Sequence, residues 1–133
     1  MARGVWAPAK PDEILSPERK QAITAACEKH TAEFLLRRFL PEIRPQTEMN
    51  YVIAIYGKWH GTTYRFIQRY HSPFADAVSP EFDAPFTRLE FVSRDCFNLS
   101  WFRHTGKWHM LHHSVTYDEA FRLLRADPLL HPV

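Results

Sequence analysis

The stretch Phe86–His113, FTRLEFVSRDCFNLSWFRHTGKWHMLHH, decides the fold. Apolar and polar residues alternate through three short runs interrupted at Arg94-Asp95 and Thr105-Gly106. That period of two belongs to strands with one buried side, joined by turns. In the first run Leu89 and Phe91 fall opposite Arg88 and Glu90. In the second, Phe97, Leu99 and Trp101 share a side and oppose Asn98, Ser100 and Phe102. In the third, Trp108 and Met110 alternate with His109 and Leu111, and Gly106 offers the positive φ that the preceding turn wants. The pattern predicts a β-meander. It carries four of the eight histidines, two of the four tryptophans and one of the two cysteines, so chemistry or recognition is sought there first.

Upstream, Tyr51–Tyr56 is a continuous run of β-forming residues, which suits a strand covered on both faces or one in the middle of a sheet. Gly57 to Gly61 reads as the turn after it. Thr62 to Tyr70 then alternates, with Tyr64 and Phe66 on one side and Arg65, Ile67 and Arg69 on the other, giving a partly basic outer face. Ser72 to Pro85 holds Pro73, Pro80 and Pro85 and reads as a long loop. Before the sheet, Ser16 can cap a helix, Pro17 suits its first position, and Ile23, Cys27, His30 and Phe34 recur at helical spacing until Pro41. After it, Thr116 with Glu119 forms a capping box, and Ala120, Leu123 and Leu124 give a buried stripe stopped by Pro128. The expected architecture is α+β: residues 1–15 are an arm, and residues 16–133 form a single domain. In that domain a long N-terminal helix packs across a roughly five-stranded antiparallel sheet, and a short C-terminal helix closes the same face.

Composition narrows the function. The chain has 133 residues, 45% hydrophobic and 14% aromatic, with a formal charge of +2, which argues against disorder and against a strongly basic nucleic-acid binder. Cys27 and Cys96 stand far apart and read as reduced thiols. No apolar run approaches the ~18 residues that a membrane span needs, and the N-terminus shows no leader pattern, so the expected location is the cytoplasm.

The order of short motifs adds a resemblance. Arg37 and Arg38 with Pro41 and Arg44, Tyr51 with Ile53, Arg69-Tyr70, Leu99 with Trp101, Lys107-Trp108-His109 and Asp127-Pro128 follow one another along the chain. In this the chain resembles a bacterial family of small proteins known only as a domain of unknown function, over roughly residues 20 to 130. The resemblance implies a fold and no activity. The chain departs from that pattern in its RHTGKWH turn and in the further histidines after Trp108.

Three constellations compete for function. His109 and His113 would share one face of the last strand with His112 on the other, and His60 or His71 could add a third ligand for zinc or iron, although no acidic residue accompanies them at ligand spacing. The sequence carries no nucleophile, phosphate-loop or dinucleotide signature, so no catalytic residue and no required cofactor is assigned, and an enzyme is disfavoured. Lys58, Trp59, Arg65, Arg69, Arg103 and Lys107 interleave cations with rings and could form a nucleic-acid-binding surface. Finally, Trp6, Trp59, Phe74, Phe82 and Phe102 exceed what the inward stripes hold, and exposed rings serve interfaces. The preferred expectation is an interaction or adaptor module that self-associates, as a homodimer or with another protein, through the outer sheet face and the Ser72–Pro85 loop.

Overall fold

The computed structural model describes residues 14–40, 49–74 and 80–132. The N-terminal helix starts where the cap predicts: Ser16 is extended, its hydroxyl accepts the Arg19 N–H at 3.2 Å, and Pro17 opens the helix at Pro17–His30. The chain stays helical to Phe39 through a π-type turn at Thr31–Leu35, in which the Leu36 N–H reaches the Thr31 carbonyl. The wider turn inserts one residue and shifts the buried stripe. Ile23, Cys27 and His30 are buried before it, whereas Thr31 and Leu35 are buried within it and Phe34 is only half-buried. Residues 1–13, including Trp6, and 41–48, including Pro41 and Arg44, lie outside the described residues.

Five strands follow: β1 Tyr51–His60, β2 Thr63–His71, β3 Glu81–Ser93, β4 Cys96–Phe102 and β5 Trp108–Val115. They form one antiparallel sheet in chain order, β1-β2-β3-β4-β5. The apolar run at Tyr51 is therefore an edge strand and not a central one, with the N-terminal helix packed against one side of it. The strand also runs straight through Gly57, expected in a turn. Tyr64 crosses β1 there, and a Cβ on Gly57 would sit 1.9 Å from its hydroxyl oxygen, so the missing side chain is what admits the ring. Gly61, at φ +62°, makes the actual turn.

The expected Ser72–Pro85 loop is shorter than its prolines suggest. β3 begins at Glu81, and the Ser72 N–H donates to the Pro80 carbonyl at 2.7 Å. Residues 75–79 of that loop lie outside the described residues. Pro85 is tolerated inside the strand because the β2–β3 register slips between Phe66 and Ile67, and proline in sheets is confined to such irregular or edge positions.

The C-terminal helix, Tyr117–Ala126, begins with half a capping box. Thr116 accepts the Glu119 N–H at 3.2 Å, while Glu119 pairs with Arg122; Asp95, from the β3–β4 turn, accepts the Tyr117 N–H at 2.9 Å. Both helices meet the same sheet face. Ile23, Cys27 and Leu35 on one side and Ala120, Leu124 and Leu130 on the other join Tyr64, Phe66, Leu89, Phe97 and Leu99 in one core. Each fully buried ring or leucine there contributes roughly 1.5–3 kcal/mol over its exposed state. No helix among the described residues lies over the opposite sheet face. No helix among the described residues is long and apolar enough to cross a membrane.

Candidate functional site

Strand alternation sends Lys58, Arg65 and Arg88 to the uncovered face. The register then sets them side by side: Lys58 opposite Arg65, Arg65 opposite Arg88, and Arg88 opposite Ser100. At a strand spacing of about 4.8 Å the three cations span roughly 10 Å, and like charges placed directly opposite destabilise a sheet. None of the three forms an ion pair with a carboxylate among the described residues. What holds two of them is Trp108 on β5. The Arg88 guanidinium lies 4.7 Å from its ring centre and that of Arg65 lies 5.7 Å away, while Phe102 meets the indole edge-on at 5.0 Å. The Arg65 Nε is shielded from solvent and has no acceptor among the described residues. A repulsive row steadied on an aromatic plate offers charge that an anion would relieve.

Arg69 shares this face but is already neutralised. Its Nε donates to Asp83 at 2.9 Å, its guanidinium lies 5.1 Å from the Tyr56 ring, and the Tyr56 hydroxyl donates to the same carboxylate at 2.5 Å. The hydrogen bond from Arg69 holds the Asp83 carboxyl below the usual range, with Tyr56 adding to it. Partial burial, then Asp83, pushes the Tyr56 phenol up.

The expected basic and aromatic residues thus divide. Lys58 and Arg65 join the row. Trp59 goes to the helix-bearing face, because neighbours on a strand point to opposite sides. Its Nε1 donates to Thr24 at 2.6 Å, and Lys20 lies over its ring at 5.3 Å. Arg103 and Lys107 bracket the β4–β5 turn, where the Arg103 N–H donates to the Lys107 carbonyl at 2.9 Å, and both lie beyond the row. Arg88 and Trp108 are the residues missing from the sequence-based set. Counting back from the β2–β3 pairing would have matched Arg88 to Arg65, but that register is hidden by the slip at Phe66.

A family described as a domain of unknown function, DUF3024, matches residues 18–131. The chain belongs to the DUF3024 family. No curated protein and no solved structure matches it. Several motif residues of this DUF3024 chain make specific side-chain contacts. Arg69 binds Asp83, Trp108 carries the two arginines, and Asp127 accepts the Leu129 N–H at 3.0 Å while holding His112 at 2.8 Å.

The histidines do not gather in the DUF3024 chain. His60 and His71 sit at opposite ends of the β1–β2 pair, about 27 Å apart along β2 at strand rise. His109, His112 and His113 lie on β5, at the far edge from β1. A register slip in β5 between the partners of Leu99 and Ser100 also turns His112 to the helix-bearing side, onto Asp127, which alternation alone had placed opposite His109. Exposed His113 contacts the Ser114 hydroxyl at 3.4 Å. Among the described residues no three His, Cys, Asp or Glu side chains are grouped to hold a metal.

A concavity of about 470 Å³ lies between the two helices and is lined by Lys29, His30, Glu33, Tyr117, Phe121 and Arg125, among others. The buried polar side chain in its lining is His30, stacked on Phe34 at 5.4 Å. Burial, with Arg125 and His131 adding repulsion, lowers the imidazole pKa to about 4. His131 closes on Phe34 and Phe39 at 5.3 and 5.1 Å, so this cluster ties the C-terminus to the N-terminal helix.

Proposed function

We propose that this DUF3024 chain is a binding module for single-stranded nucleic acid that uses the uncovered sheet face. The observation that carries the reading is the row Lys58, Arg65 and Arg88 beside Trp108 and Phe102: phosphates need unpaired cations, and unstacked bases need rings. The open face supplies both within a few strand spacings. The test is the salt dependence of binding to a fluorescent twelve-nucleotide oligothymidylate. Three phosphate contacts predict a log–log slope of about −2, and hence roughly twentyfold weaker binding between 50 and 200 mM salt. Arg88→Gln should shrink the slope by about 0.7. Salt-insensitive binding, or none at all, refutes the reading.

Self-association as an interaction module is the second reading, supported by Met110 (48% exposed) next to the Phe102–Trp108 pair. Face-to-face stacking of two copies would oppose their cation rows, so a dimer formed this way should tighten as salt rises, the reverse of the nucleic-acid response. Light scattering across the same salt series separates the two.

A further inference from the structure

At one end of the sheet β4 parts from β3. Their pairing stops at Thr87 and Trp101, and the first half of β3 then has only β2 beside it. A cavity of about 330 Å³ opens in the gap, lined by Gln68, Tyr70, Pro85, Trp101, Arg103 and His104 among others. That volume sits at the small end of ligand pockets, which run from roughly 300 to 1,000 Å³.

Three aromatic rings, Tyr70, Trp101 and Phe102, contribute to its walls, and the Tyr70 hydroxyl donates to the Gln68 side-chain oxygen at 3.5 Å. Tyr70 is braced by Phe82, stacked at 5.3 Å with 10° between the planes. Trp101 Nε1 and Arg103 Nε are both shielded from solvent, and neither has an acceptor among the described residues. The guanidinium lies 5.8 Å from the Trp101 ring centre, so each group covers the other. Buried donors without acceptors are rare in native proteins, and two adjacent ones call for an incoming acceptor. Phe102 also lines the cavity and packs on Trp108 at the aromatic end of the cation row, whereas Gln68 and Trp101 belong to the helix-bearing side, so the cavity meets that row through Phe102 alone.

We infer that this cavity takes one unstacked guanine-type base. The rings sandwich its plane, and the Arg103 fork, leaving the Trp101 ring, meets the adjacent O6 and N7 acceptors, an edge that guanine alone presents as two acceptors to a guanidinium. The indole N–H then gains a partner as well. The base can come from a strand lying along the cation row, which rests on the proposed function, or from a free nucleotide, which does not.

Anisotropy titrations separate these sources. A dT12 oligomer with one central dG should bind about tenfold more tightly than dT12 or the same oligomer with one central dA. Trp101→Phe keeps the ring without its N–H, and Arg103→Lys keeps the charge without the fork. Each should abolish most of that preference while leaving dT12 affinity and its salt slope unchanged. In a parallel arm, guanosine monophosphate is titrated alone by calorimetry. Binding that both substitutions weaken, with no oligonucleotide binding, upholds the pocket and refutes the proposed function. Equal affinity for all three oligomers together with no monophosphate binding overturns the pocket, as does a preference that neither substitution changes.

Discussion

His30→Gln isolates one pH-sensitive feature of the fold, a buried imidazole. The His30 ring is buried (7% exposed), and the folded chain holds its pKa at about 4, against about 6.5 in the unfolded chain. The folded state therefore prefers the neutral ring. Above pH 6.5 neither state binds the proton and the full stability is present. As pH falls below 6.5 the unfolded chain takes up a proton that the folded chain refuses until about pH 4, so stability is lost across that window. At pH 5 the difference amounts to about 1.5 pKa units, or roughly 2 kcal/mol. Arg125 and His131 oppose a charge on the ring, Phe34 and Phe66 beside it supply no acceptor, and Lys29 and Glu33 line the same concavity with opposite charges. Urea unfolding at pH 7.5 and pH 5.0 gives the measurement. Wild type should lose about 2 kcal/mol more than His30→Gln over that interval, because carboxylates elsewhere titrate equally in both. Equal losses in the two proteins would refute the reasoning.

Three other outcomes follow from single contacts. Gly57→Ala drives a methyl into the Tyr64 ring and should cost about 1–3 kcal/mol, with the Gly57→Ala/Tyr64→Ala pair costing less than the sum; a wild-type unfolding midpoint for Gly57→Ala would contradict this. Asp127→Ala removes both the cap on the Pro128–Leu130 turn and the partner of His112, and should cost about 1–2 kcal/mol. Asp127→Asn, which can still cap, should recover at least half of that in the same denaturation assay. Cys27 is fully buried and burial pushes its thiol far up, whereas Cys96 is half-buried, so a disulfide-exchange reagent should titrate one thiol in the folded protein and two in denaturant; two fast native thiols would contradict the packing.

What was legible in the sequence is what depends on local period and capping. Ser16-Pro17 marks the helix start, the alternation from Arg88 to Met110 marks the strands, and Thr116 marks the last helix. Single-residue irregularities were not legible, because they leave the period intact on either side while changing its phase. The π-type turn at Thr31–Leu35 moves the buried stripe by one residue, and the slip in β5 reverses His112. Arg65 and Arg69 could be read as outward-facing, but not that Lys58, expected in a turn, lies on β1 opposite Arg65, that Asp83 neutralises Arg69, or that Arg88 completes the row. Those are cross-strand facts set by register. The end cavity was hidden for the same reason, since it exists only where β4 stops pairing while β3 continues.

The strand order has a kinetic consequence. Each strand lies next to the one that follows it along the chain, so every ladder closes across a short connection, and the loop-closure entropy of each step is small. The sheet can zip hairpin by hairpin, without waiting for a remote segment to return. The distant partner is the N-terminal helix, which packs on the face that these hairpins form. Topologies dominated by such near contacts fold faster than Greek-key sandwiches of equal size.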